Sequence, residues 1–483
     1  MCLSKLLIYT LFAMPLVPCL SAAQVACGNP ALALSEVDTT RSEVSVAYSA
    51  SSHLAEMVEE GTAWHGARAE GRTVMRLSPV IAAWGLASYD RGVRKDVTMS
   101  ESADIREVGP MAVADTIGGD KESEVYKFRA GFAWQGSRAS VGLDIRYSSV
   151  SEFRTRDPRP KADAVVAAVR LGGALNLTEG QIIGLYGKLR KYAQEVDIDF
   201  KNTQAGAATI YHLTGLGADY TRFAGSNDAA SFDGRCLGGG LTYGGPVGVT
   251  LDLSRRHTEK ILPDLANILI SETYDNCLAA NVVRHGTLSR WSSSIGLSAN
   301  LNHLTLKTSI YDDGTKNYRL LSTRQPYSRR TATLALVAQM ARPQAIALSA
   351  TVAYNRDKQE NTDLARRVET SDVSLDAQAN LWHHGRVASL SCGLGIALRK
   401  NVSGECNLGL RRSSESAAAH EVVRRDYALR SANVVGGEVS GRADFHIAGR
   451  GWSPFVGFNV GGIGRSGGAD DAWHLSVSAG VGF

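Results

Sequence analysis

Beyond residue 24 the chain has no apolar run long enough to cross a bilayer as a helix, which takes about 20 residues. The one stretch that comes near, Leu6 to Ala23, is broken by Pro15 and Pro18. A polytopic helical membrane protein is therefore excluded. Cysteine is scarce: Cys2, Cys19, Cys27, Cys236, Cys277, Cys392 and Cys406 are the seven in 483 residues. No two have Cys-x-x-Cys spacing, which removes a zinc ribbon and a thioredoxin-like redox motif. Excess charge of either sign is also missing. The formal charge is +4, with Lys and Arg spread along the chain, which gives no case for a nucleic-acid partner. Heptads, fixed-period repeats and low-complexity linkers are absent. Aromatic residues are not: 11 Phe, 16 Tyr and 7 Trp exclude a polar disordered chain.

The first residues have the form of a secretory signal. Lys5 is a basic n-region, Leu6 to Val17 an apolar core, and Ser21-Ala22-Ala23 a small-residue cleavage site. The spacing predicts a cleaved signal peptide over 1–23, export to an oxidising compartment, and a mature chain starting at Gln24.

The periodicity of the mature chain is two. Val141, Leu143, Ile145 and Tyr147 alternate with Gly142, Asp144 and Arg146. Tyr126, Phe128, Phe132 and Trp134 alternate with Lys127, Arg129 and small residues. Val373, Leu375 and Leu381 alternate with Asp372, Asp376 and Gln378, and Val435, Val439 and Phe445 with Glu438, Arg442 and Asp444. Each segment has an apolar and a polar face. Further segments fall near 164–175, 182–194, 208–220, 247–255, 291–301, 303–311, 331–340, 346–355, 388–398, 402–410 and 453–462. Their length of roughly 9 to 12 residues suits a tilted strand crossing a bilayer. Lipid offers no hydrogen bonds, so without helical spans a closed sheet is the remaining option. The expectation is an all-β, antiparallel up-and-down transmembrane barrel of about 16 strands, range 14 to 18, over residues 79–483. Residues 24–78 are the least regular and are open to three readings: first strand, periplasmic loop or lumen plug.

In such a barrel the apolar rows meet lipid and the polar rows the lumen. The lumen-facing candidates are Lys127, Arg129, Asp144, Arg146, Asp372, Asp376, Glu438, Arg442 and Asp444. They could line a water-filled pore or pair with one another and hold it shut. At the C-terminus Trp473, Leu475, Val477, Ala479, Val481 and Phe483 form one unbroken apolar row. A last strand ending on an aromatic residue resembles the C-terminal targeting strand of outer-membrane proteins, which implies the barrel-assembly machinery as a partner during biogenesis. One hairpin is expected at Leu398-Arg399-Lys400, pairing 388–398 with 402–410 and placing Cys392 opposite Cys406.

Catalytic groupings are not evident, and neither an enzyme, a cofactor nor a metal site is expected. His212-Leu213-Thr214 lacks recognisable partners for acyl transfer. His383-His384 would point to opposite faces of a strand. Gly238-Gly239-Gly240 opens no helix and is no phosphate loop.

Trp84-Gly85-Leu86-Ala87-Ser88-Tyr89, Ala114-Asp115, Gly118-Gly119-Asp120, Glu124 to Phe128, Asp157 to Lys161, Lys191 to Gln194 and Tyr220 to Gly225 together resemble an uncharacterised family of outer-membrane barrels of the Bacteroidota type. The resemblance covers 84–225 and implies a fold and a location, with no substrate or catalytic residue. Asn29-Pro30-Ala31 is similar to the Asn-Pro-Ala of fatty-acid-transporter-type barrels, which implies an N-terminus that plugs the lumen.

The function expected is a porin-like channel or transporter for a small or hydrophobic solute in the Gram-negative outer membrane. The alternative is a closed accessory barrel holding another outer-membrane or periplasmic protein of an uptake or secretion assembly. Outer-membrane lipid is a partner of either.

Overall fold

The structure is a computed structural model that describes residues 28–37, 40–178, 180–201, 210–223, 229–312, 318–411, 415–467 and 469–483. The signal-peptide expectation lies outside these residues.

Eighteen antiparallel strands close into one barrel. In chain order they are β1 (Arg41–Ser52), β2 (Ala63–Ser78), β3 (Ile81–Val97), β4 (Gly119–Gln135), β5 (Ala139–Phe153) and β6 (Arg159–Thr178). There follow β7 (Gln181–Asp199), β8 (Ala230–Gly244), β9 (Val247–Leu262), β10 (Ile268–Leu288), β11 (Trp291–Tyr311) and β12 (Leu320–Arg342). The last six are β13 (Ile346–Asn361), β14 (Arg366–His384), β15 (Ala388–Asn407), β16 (Val434–Phe445), β17 (Ser453–Arg465) and β18 (Ala472–Gly482). Each pairs with its neighbours in sequence, and β18 returns to β1 with Val44 opposite Val481 and Ser52 opposite Trp473. Eighteen is the top of the expected range.

The outward rows are the apolar rows of the sequence. Leu171, Leu185, Leu237 and Leu253 are each more than 60% exposed. A belt of exposed leucine would be a liability in water and is what a lipid-facing wall requires. Short turns close one end, as at Pro79-Val80 and Gly245-Pro246, while the connections 98–118, 200–229 and 408–433 at the other end are long. In bacterial outer-membrane barrels short turns are periplasmic and long loops extracellular.

Several expectations need correction. The barrel begins at Arg41, not at 79: residues 41–78 supply β1 and β2, and Pro30–Glu36 forms a 3₁₀ helix. The expected strand near 208–220 is not part of the wall. Tyr211–Gly215 pairs with Val113–Ala114 and Ala218–Asp219 in a small separate sheet. The expected strands 291–301 and 303–311 are one, β11. So are 388–398 and 402–410, as β15. Cys392 lies opposite Leu381 and Gly441, and Cys406 opposite Val368. Fourteen residues apart on one strand, at about 3.3 Å each, the two cysteines are roughly 46 Å apart, and the expected pairing is refuted. The register shifts between Ser371 and Asp372, leaving Val402 as an extra residue. Such a bulge breaks the alternation as a turn would, but Arg399 and Lys400 offer none of the Gly, Asn or Pro that a tight turn needs.

Candidate functional site, a lumen with inward-folded segments at both ends

At the short-turn end the N-terminal segment packs against the inner wall. Pro30 presets the first turn of the 3₁₀ helix, and the Asn29 side chain caps it by accepting from Ala31 N at 3.0 Å. Asn29 also reaches the wall, donating from Nδ2 to Gly173 O at 3.0 Å and Leu185 O at 3.2 Å. The wall has glycine where the segment seats. A Cβ at Gly142 would overlap Pro30, one at Gly172 would overlap Asn29, and one at Gly184 would lie 2.5 Å from Asn29 Nδ2. Arg170 donates to Gly28 O at 3.0 Å, and Ala33, Leu34 and Val37 pack on Ala82, Trp84 and Ala133. Of the three readings of residues 24–78, a first strand holds for 41–52 and a lumen plug for 28–37.

Above the plug the wall carries ion pairs. Asp144 accepts from Arg129 Nε at 2.6 Å, Arg146 Nε at 2.7 Å and Trp84 Nε1 at 3.0 Å. Glu43 meets Arg72 at 2.8 Å and Arg442 at 3.1 Å, and Arg442 also holds Asp444 at 2.7 Å. Lys127 lies 3.8 Å from Asp90. Asp372 accepts from Asn355 at 2.9 Å, Glu438 accepts from Asn459, and Asp376 is buried on the same row. The structure thus places all nine lumen-facing candidates on inward rows. Their pairing runs along the wall, between nearby strands, and does not bridge the lumen.

At the long-loop end, loops fold inward against the wall. Residues 98–118 carry a short helix, α1 (Ile105–Val108), and residues 408–433 carry α2 (Ala417–Ser431). Ile105, Val108, Met111 and Val113 join Ile210, Leu216 and Phe223 in an apolar core against wall residues such as Tyr192, Phe232 and Leu306. Buried charges tie this cap to the wall. Lys121 meets Glu101 at 2.8 Å, and Arg154 sits between Glu101, at 3.2 Å, and Asp115. Arg366 meets Glu415 at 2.6 Å, Arg190 meets Glu107 at 2.9 Å, and Lys260 donates to Met111 O at 2.6 Å. Burial pushes Glu101 up to about 7, with Lys121 opposing the shift and Asp115 adding to it. Burial and then Glu107 push Asp104 up to about 6, and burial and then Glu415 do the same to Asp219.

The remaining residues singled out in the sequence have other places. His212 is buried in the cap sheet, and neither ring nitrogen has a hydrogen-bond partner among the described residues. Burial and the nearby Lys260 charge hold its pKa well below the usual value. His384 and His446 both contact Ser389, at 3.2 and 2.8 Å, at the short-turn rim. Among the described residues one group could hold a metal ion: His257, Glu259 and Glu272, with ligand atoms within 4.8 Å of one another. It faces outward, and Glu272 is already occupied by His257 at 2.9 Å, Tyr274 at 2.9 Å and Lys307 at 3.6 Å. Sequence reading missed α2, although Ser416 followed by three alanines is a helix-start signal; its hydroxyl accepts from Ala419 N at 3.3 Å. It also missed Glu101 and Arg154, because no local pattern announces which loops turn inward, and Glu43, whose partners Arg72 and Arg442 lie on other strands.

A closed antiparallel barrel with an apolar outer face and an N-terminal segment seated on its inner wall is the class that this geometry defines. The chain belongs to a family of unknown function (DUF6850), which matches residues 30–483 and so includes the plug. No curated protein sequence matches it. Among solved structures it is similar to the siderophore receptor PiuA from Acinetobacter baumannii, with a TM-score of 0.43 and 9% identity over 92% of this chain and 82% of that one. A Pseudomonas aeruginosa FadL homologue matches with a TM-score of 0.38 and 13% identity over 97% and 94% of the two chains. The ferric-catecholate import receptor Fiu of E. coli K12 matches with a TM-score of 0.39 and 8% identity over 91% and 81%. These likenesses concern the barrel fold.

Proposed function

We propose that this barrel lies in the bacterial outer membrane and passes a small polar solute, with residues 28–37 as its gate. The glycine cradle under Asn29 and Pro30 carries the reading: three wall positions lack the side chain that would exclude the plug. The unoccupied part of the inner wall, along β9 to β14, is polar, with Thr250, Ser254, Asn302, Thr331 and Gln378 on inward rows. Such a surface suits a hydrated solute better than an apolar one.

The two ends differ in what opening would cost. The plug is held by hydrogen bonds from Asn29, Arg170 and Arg76, each contributing about 0.5–3 kcal/mol, and by a small apolar contact of Ala33, Leu34 and Val37, against a much larger apolar core in the cap. The cap contains several ion pairs buried on both sides, and breaking one costs about 3–5 kcal/mol. The plug is therefore the cheaper gate. Conductance in planar bilayers tests this. Full-length protein should be nearly silent or flicker, and protein lacking 28–37 should show large, stable steps. A silent barrel without its plug would instead favour a closed accessory barrel, the reading for which the cap's buried ion pairs speak.

A further inference from the structure

The outer face of the barrel is not uniform. Across β8 to β13 the pairing aligns Leu237, Arg255, Asn276, His303, Arg330 and Lys358 in one row around the wall. The next row toward the periplasm is Gly239, Leu253, Leu278, Leu301, Ala332 and Arg356. All face outward, as the exposure of Leu237, Leu253, Leu278 and Leu301 shows. Between them they frame a groove of about 890 Å³. Its floor is deepened where Gly239 and Ala332 stand among leucines.

The level of the groove matters. Below it the outward residues are apolar, among them Leu241, Leu251, Val282, Leu297 and Leu334. Above it they are polar, beginning with Arg235, His257, Tyr274 and Thr305. The basic row therefore marks the upper edge of the lipid-facing belt, on the long-loop side. Arg255 and Arg330 have no ion-pair partner among the described residues, and Arg255 stands 5.1 Å over the Tyr274 ring. Arg356 and Lys358 are shared with Glu369 and Glu360, each at 2.6 Å. The exterior of β6 and β7 is different, with Asp163, Glu195, Asp197 and Asp199 exposed alongside its lysines. Apart from Glu360 and Glu369, the nearest outward carboxylates in the groove's own sector, Asp233, Glu259 and Glu272, stand two rows higher, toward the long loops.

We propose that this groove binds a phosphorylated lipid of the outer leaflet, of the lipid A class, with acyl chains on the leucine row and phosphates on Arg255 and Arg330. A cationic row over an apolar floor is complementary to an anionic headgroup over acyl chains. Guanidinium groups suit phosphate in particular, because their N–H donors match its oxygens in pairs. The assignment rests on an outer-membrane location with the long loops outward, and is independent of whether the lumen conducts.

The test uses the purified full-length barrel in detergent with lipid A carrying both phosphates as the probe and the dephosphorylated lipid as comparison. The wild type should retain the phosphorylated lipid and prefer it. Added salt should weaken that binding. Arg255→Gln with Arg330→Gln should reduce it by about tenfold or more, with the barrel still heat-modifiable on gels. Arg284→Gln, an outward arginine near the periplasmic end, should leave it unchanged. Equal binding by the double variant, equal retention of the dephosphorylated lipid, or binding indifferent to salt would each overturn the proposal. Absence of the protein from the outer-membrane fraction would defeat the location on which it rests, and a silent conductance record would not.

Discussion

Asp144 and Asp376 occupy equivalent places in the sequence pattern, each polar between apolar neighbours, yet they are not equivalent residues. A wet lumen would make both cheap to neutralise. Asp144 instead holds Arg129, Arg146 and the Trp84 indole, and is 2% exposed. Asp144→Asn removes the carboxylate that a nearly buried Arg129 and a half-exposed Arg146 share and should cost about 3 kcal/mol. Asp376→Asn should cost less than about 1 kcal/mol. Leu143→Arg, on the lipid face, should cost about 2–4 kcal/mol near the midplane. Folding titrations into lipid vesicles measure all three, and equal costs for the two aspartates would contradict the pairing described. Parity along a strand tells which face a charge is on. It cannot tell which neighbour it meets, because Trp84, Arg129 and Asp144 come together through the registers of three strands.

At the scale of elements the same limit explains what was legible. Long alternating segments announced most of the wall, since lipid on one side and a lumen on the other force period two. The cap was illegible. Residues 98–118 and 408–433 pack against a wall that is distant in sequence, so their burial has no local signature, and Glu101 or Arg154 reads as an ordinary surface charge. That cap should respond to pH. Glu101, at about 7 in the fold against 4.5 as a free side chain, binds its proton more tightly folded. Its contribution is full below about 4.5 and is lost as pH rises through 7. Asp104 and Asp219, both near 6, act in the same direction over a lower range. His212, whose pKa is depressed by burial, acts oppositely: its contribution is present above 6.5 and is lost as pH falls. Between pH 6.5 and 8 the histidine gains only about 0.4 kcal/mol, as its unfolded form finishes losing its proton, which is less than the carboxylates lose. The cap should weaken by on the order of 1 kcal/mol over that interval. Hydrogen exchange of residues 98–118 should be faster at pH 8 than at 6.5, and Glu101→Gln should remove most of the difference. A flat profile in the wild type would mean that Glu101 is ionised throughout.

For the molecule as a whole, closure is the decisive step, because a barrel missing one seam has two open edges in lipid and no means of satisfying them. The seam here joins β1 to β18 over ten facing pairs, from Glu43 with Gly482 to Ser52 with Trp473. Phe483 extends it by two hydrogen bonds, its N donating to Ser42 O at 2.8 Å and its O accepting from Ser42 N at 3.2 Å. Its ring contributes little to the finished fold, since the residue is 61% exposed. Holding the barrel shut and the proposed role in assembly therefore separate experimentally. Deleting 473–483 removes the seam itself and should abolish the heat-modifiable, membrane-embedded form. Deleting Phe483 alone should leave a protein that refolds in detergent with its stability lowered by no more than about 2 kcal/mol. In cells the same deletion should lower the assembled amount much further, if the terminal aromatic is a targeting signal. Parallel measurement of refolded stability and of assembled protein in the membrane fraction distinguishes the two. Equal modest losses in both would reduce Phe483 to one more rung of the seam, and full assembly without 473–483 would contradict the closed barrel.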